Sequence, residues 1–172
     1  MVTLVRPFKA TEANRSCSPS LDSVSDIGKR INKQRVLLKH FVQYERFVVS
    51  AIESFLMNTA GPIRMESTEN ARSAFTDSRQ LESKFNLDRI IIKKIPSNSD
   101  DLSLAELSDV VRLIVRECMW ARLQSGKRVV HFGWDSYIYF AGTTLNESYI
   151  NEFRSIGRVV ERVDHLPTIE ST

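Results

Sequence analysis

Cysteine is almost missing from this chain: Cys17 and Cys118 are the only two among 172 residues. Two thiols cannot build a disulfide framework, so a reducing compartment, the cytoplasm, is expected. No apolar run approaches the roughly 18 residues that span a bilayer, and the start, M-V-T-L-V-R-P-F-K, is too interrupted for a secretory signal. Without export, Asn146-Glu147-Ser148 is no glycosylation site. Gly-x-Ser-x-Gly, the P-loop and the dinucleotide fingerprint are absent. His40, His131 and His165 are scattered, and no His, Cys, Asp or Glu pair has metal-ligand spacing in a suitable context. No cofactor, metal or catalytic group is expected, and the chain reads as non-enzymatic. One-sided charge is lacking too: 24 basic residues stand against 21 acidic ones. A net charge of +3 permits an acidic or nucleic-acid partner without requiring one.

What is present is helical pattern followed by strand pattern. Residues 1–20 are polar and aperiodic, which predicts a mobile tail. Over 21–60, Val24, Ile27, Ile31, Leu38, Phe41, Val48, Ile52 and Phe55 recur at helical spacings. Gln34 and Glu45 interrupt the seam, whereas Leu37, Val42, Phe47, Val49 and Leu56 widen it, so the stripe wants a sheet or other helices. Ala60-Gly61-Pro62 ends it. A core-packing helix is one expectation, and self-association through 22–59, as in a dimer, is the other. Residues 61–87 read as a linker with one or two short helices, carrying Ala71, Ala74 and Phe75, then Leu81 and Phe85.

Residues 88–166 are expected to form the main domain, with 167–172 a tail. Arg89–Ile95 is β-branched and ends at Pro96, so a strand is predicted. Ser103-Leu104-Ala105-Glu106 is a capping box opening a helix that carries Leu107, Val110, Val111, Ile114, Cys118 and Ala121, with Gly126 as its stop. Cys118, on its apolar face, is expected to be an inert buried thiol. Lys127–Gly142 concentrates aromatics around Gly133-Trp134-Asp135 and predicts a hairpin. Asn146 is read as the cap of a helix bearing Ile150 and Phe153, and 158–163 as the last strand. The order βαββαβ predicts an α+β fold, a four-stranded ferredoxin-like sheet with a long N-terminal helical extension.

A loop at Gly133-Trp134-Asp135 would oppose His131 to Tyr137 and Val130 to Ile138. Val130, Phe132, Ile138 and Phe140 would face the helices; His131, Tyr137 and Tyr139 would lie on the open side, joined by Lys93, Arg158 and Arg162. With Trp134 and Asp135 at the loop, these eight residues make the candidate partner-binding surface. An exposed aromatic and arginine face suits a protein hot spot. The same topology in RNA-recognition domains stacks bases on strand aromatics, so nucleic acid is the alternative. The third reading has the long helix lying over the tyrosines.

Residues 104–166 carry V-R-L-I-V-R-E-C-M-W-A-R-L, then V-H-F-G-W-D-S-Y-I-Y-F, then S-I-G-R-V-V-E-R-V-D. This resembles a group of small bacterial domains of unassigned function, marked by an R-E-x-x-W helix followed by an H-F-G-[YW]-D-x-Y hairpin. Arg116, Glu117 and Trp120 match the helix; His131, Phe132, Gly133, Trp134, Asp135 and Tyr137 match the hairpin. The resemblance implies a bacterial setting and supports the strand order, but brings no activity with it. By analogy with other small orphan domains, a partner role is expected, such as regulating or neutralising another protein, for example a toxin.

Overall fold

The structure, a computed structural model, describes residues 2–6, 23–31, 34–59, 61–67, 71–92, 101–133 and 136–166. Its centre is a six-stranded antiparallel sheet with the order β4-β5-β6-β7-β1-β8. The strands are β1 (Val2–Arg6), β4 (Ile63–Ser67), β5 (Ala121–Ser125), β6 (Arg128–Phe132), β7 (Ile138–Ala141) and β8 (Val159–Val163). A small hairpin, β2 (Arg30–Ile31) and β3 (Gln34–Arg35), stands apart. Helices α1 (Leu38–Met57), α2 (Ala71–Phe85), α3 (Leu104–Val115) and α4 (Glu147–Ser155) complete the fold.

The α+β class is as expected, but the sheet has six strands, not four. Residues 2–6 of the expected tail form β1, which sits between β7 and β8 and pairs antiparallel with both. Its V-T-L-V-R run fits there because Leu4 and Val5 are buried on opposite faces. β7 and β8 therefore run parallel to each other, with α4 between them in sequence. β4 and α2 occupy the expected linker.

Helix α1 begins sixteen residues later than Asp22, since Ser23 caps a 3-10 turn at Val24–Asp26 and Gly28 takes φ +91°. Its apolar stripe lies inside the chain's own core. Val48, Ile52 and Phe55 pack with Val130, Phe132, Ile138 and Phe140 of the sheet, and Phe55 meets Phe140 edge-on at 5.1 Å.

Helix α3 opens on the expected capping box: Ser103 Oγ accepts from Glu106 N, and Glu106 accepts from Ser103 N. These Ser103 hydrogen bonds hold the Glu106 carboxyl below its usual pKa. The helix ends at Val115, well before Gly126. Glu117 takes φ +59° and donates its N–H to Ile114 O while Cys118 N–H reaches Leu113 O. That pairing is a Schellman termination with glutamate where glycine is usual. Trp120 consequently lies beyond the helix, and Ala121 belongs to β5, while Gly126 (φ +54°) opens the two-residue turn into β6.

The predicted strand at Arg89–Ile95 is not a strand over its described part. Side chains take its hydrogen bonds instead: Glu82 accepts from Ile90 N, Asp109 from Ile91 N and Ile92 N, and Arg79 donates to Ile90 O. Residues 93–95 lie outside the described residues.

Behind that segment lies a buried ion cluster. The Arg116 guanidinium is fully buried and binds Glu45 twice, Nε to Oε2 at 2.7 Å and Nη2 to Oε1 at 3.0 Å. Nη2 also donates to Asp88 O at 2.9 Å. Nη1 sits 3.5 Å from Glu82 Oε1, an ion pair without hydrogen-bond geometry.

Candidate functional site

Alternation along the strands sorts the two sheet faces. The inner face, bearing Val130, Phe132, Ile138 and Phe140, meets the helices. The outer face carries His131 and Tyr139, which are cross-strand partners. The long helix therefore does not lie over His131 and Tyr139; it packs on the opposite, apolar face.

The β6–β7 register differs from expectation by two residues. His131 opposes Tyr139 and Val130 opposes Phe140, so the loop spans 133–137. An even shift preserves which side chain faces which way. Gly133 donates its N–H to Tyr137 O at 2.8 Å. A side chain at Gly133 would press on Tyr137 Cβ at 3.2 Å and the Tyr139 ring at 3.3 Å, so glycine leaves the space both tyrosines use. The Tyr137 and Tyr139 rings lie 6.4 Å apart, and His131 lies 5.9 Å from Tyr139. All three are half-buried.

Two of the basic residues expected beside them, Arg158 and Arg162, are elsewhere. Arg158 is buried and stacks 4.5 Å over Tyr44 of α1. Arg162 pairs in register with Thr3, itself opposite Phe140, so it points to the helix side of the sheet and is exposed there. The period of two explains both: Arg158, Val160 and Arg162 share a parity, and Val160 packs in the main core. Lys93, Trp134 and Asp135 lie outside the described residues.

Different charges occupy the outer face. Across the strands, Glu66 opposes Arg122, Arg122 opposes His131, His131 opposes Tyr139, Tyr139 opposes Leu4, and Leu4 opposes Glu161. Glu161 binds Arg6 bidentately, at 2.8 and 3.1 Å. A neighbouring row runs Arg64, Gln124, Val129, Ala141, Val2 and Val163. Val2, Val129 and Ala141 form a small second core there, packed against Tyr139, Val163 and Leu166. Burial, and next the nearby Arg122, lower the His131 pKa from its ordinary value, with Glu66 opposing. Alternation in A-R-L-Q-S and I-R-M-E-S was the signal for Arg122, Arg64 and Glu66; an overlong helix and a supposed linker hid it.

Two other features bear on chemistry. A cavity of about 20 Å³ lies among Phe41, Tyr44, Ile114, Trp120, Phe132 and Ile138, with Ser23, Glu117 and Ser136 also lining it. It holds about one water-sized sphere, too little for a substrate. Cys118 is buried, and desolvation pushes its thiol up to about 12, so it is a poor nucleophile at neutral pH. Among the described residues no three His, Cys, Asp or Glu side chains gather to hold a metal, and no helix is long and apolar enough to cross a membrane.

No protein-family model, no curated protein and no solved structure matches the chain.

Proposed function

We propose that this chain is a non-enzymatic protein-binding module whose partner docks on the outer face of the sheet, around His131, Tyr137 and Tyr139. One observation carries this reading: half-buried aromatic rings stand on the sheet face opposite the helices, flanked by charges of both signs. Aromatic and arginine side chains in a mixed polar surround are the composition of protein hot spots. Nucleic acid is the weaker reading, since Glu66 and Glu161 interrupt the row and a phosphate backbone rewards uninterrupted positive charge. Lys93, Trp134 and Asp135 belong to the proposed patch by sequence. By analogy with the small bacterial domains that 104–166 resembles, the chain is a regulator or neutraliser of another bacterial protein, and its two cysteines suit a cytoplasmic setting.

Capture from bacterial lysate with the full chain and with Tyr137→Ala/Tyr139→Ala tests it. A protein held by the first and lost with the second is the expected result; an unchanged set of captured proteins refutes the proposal. A salt titration against generic RNA and DNA separates the classes, because phosphate-driven binding weakens steeply with salt.

A further inference from the structure

We infer that Arg122 and His131 form a carboxylate subsite on the outer sheet face, which takes an Asp or Glu side chain of an acidic partner segment. This deepens the protein-binding reading and rests on it. The two residues are direct cross-strand partners, which places their Cβ atoms about 4.5–5.5 Å apart. Both side chains are half-buried. Arg122 Nε and His131 Nδ1 have lost contact with water and find no hydrogen-bond partner among the described residues.

Four other buried or half-buried arginines have a protein acceptor, although Arg116 and Arg158 each keep one Nη1 without a hydrogen bond among the described residues. Arg6 has Glu161, Arg116 has Glu45, Arg112 has Asp109, and Arg128 donates to Phe55 O. Arg122 faces Glu66 in register, yet forms no ion pair or hydrogen bond with it or with any other described residue. A partly desolvated guanidinium that has no protein acceptor and whose Nε is shielded from water is costly, and an oxyanion on its open Nη side offsets part of that cost. Its planar fork matches a carboxylate with two parallel N–H bonds.

His131 completes the site as a neutral donor. Burial and the adjacent guanidinium disfavour its charged form. A neutral ring carries one N–H, and the unpartnered inner Nδ1 leaves that proton best placed on the outward Nε2. The Tyr139 ring, 5.9 Å away, walls the next position along the row. One full positive charge is therefore on offer, with Glu66 beside it. That suits a monoanionic carboxylate and under-compensates a phosphate dianion.

The test uses the full chain with labelled histidine, followed by NMR, with the His131 signal assigned through His131→Gln. The probes are a blocked tetraglutamate peptide, a tetralysine peptide and inorganic phosphate at constant ionic strength. Tetraglutamate shifts the His131 resonance saturably and tetralysine does not. Arg122→Gln weakens that binding about tenfold or more, Arg122→Lys falls between, and Arg162→Gln, on the other face, leaves it unchanged. Thermal melts confirm that each variant is folded. The proposal is overturned by an absent or non-saturating shift, by equal affinity in Arg122→Gln, or by phosphate binding more tightly than tetraglutamate. A dimer that Arg122→Gln dissolves overturns it too, since the occupant is then a second copy. Partner capture lost with the tyrosine variant but intact with Arg122→Gln removes this inference and leaves the protein-binding reading standing.

Discussion

At Gly142 the chain has no room for a side chain. Its φ is +94°, and a Cβ there would sit 1.8 Å from the carbonyl oxygen of Lys127, in the turn between β5 and β6. Backbone cannot swing aside as a flexible side chain does, so strain and collision act together. Gly142→Ala is expected to destabilise by about 2 kcal/mol or more, read as a lower urea midpoint at unchanged slope; an unchanged midpoint would refute the close approach. His131 is the residue whose surroundings set a pH dependence. Its folded pKa lies below the ordinary 6.5 because burial and Arg122 disfavour the imidazolium. The unfolded chain then binds the proton more readily, so this contribution to stability is present above pH 6.5 and lost as pH falls through the folded value. Wild type should lose more stability than His131→Gln between pH 7.5 and pH 5. The other two histidines are common to both chains, so equal losses would remove the assignment to His131.

Between elements, charge does work that apolar contact usually does. Glu45 of α1, Arg116 at the end of α3 and Glu82 of α2 meet in one buried cluster, and Glu82 and Asp109 together hold the backbone of 90–92. Removing one member strands the opposite charge away from water. Arg116→Met alone should cost about 3–5 kcal/mol, whereas Arg116→Met with Glu45→Leu should recover most of it. Denaturant titration of both variants decides, and a double variant no better than the single one would show that the pair contributes net stability. This cluster also explains what was legible in the sequence. Ser103 with Glu106, and Asn146, announced two helix starts through local chemistry. The end of α3 was hidden because Glu117 stands where a glycine would have been the sign. The β-branched run from Arg89 carried a strand pattern, yet carboxylates from the flanking helices α2 and α3 occupy hydrogen bonds a neighbouring strand would have used. Of the candidate site, the facing of His131 and Tyr139 followed from the period of two. Arg122 did not, since its strand had been absorbed into the preceding helix.

At the scale of the whole molecule, the first residues of the chain hold its last strand in the sheet. β1 is the strand between β7 and β8, although more than 130 residues separate it from either in sequence. No local pattern reports such a pairing. Five residues, V-T-L-V-R, read equally well as part of a tail, and only the place between β7 and β8 gives them a role. Burying Val2, Leu4 and Val5 contributes about 5–9 kcal/mol at 1.5–3 kcal/mol per large apolar side chain. That is comparable with the entire stability of a domain, about 5–15 kcal/mol. β1 also carries Arg6, which fixes Glu161, and Leu4, which lies between Tyr139 and Glu161 on the outer face. Deleting residues 1–6 should therefore abolish the cooperative thermal transition and not simply trim an end. A gentler break, Val5→Asp, puts a charge between Ile138 and Val160 in the main core and should lower stability by several kcal/mol. Circular dichroism melts of both chains measure this. A truncated chain that still unfolds cooperatively near the full-length midpoint would show that β8 and α4 hold their places without β1, and the sheet order would need revision.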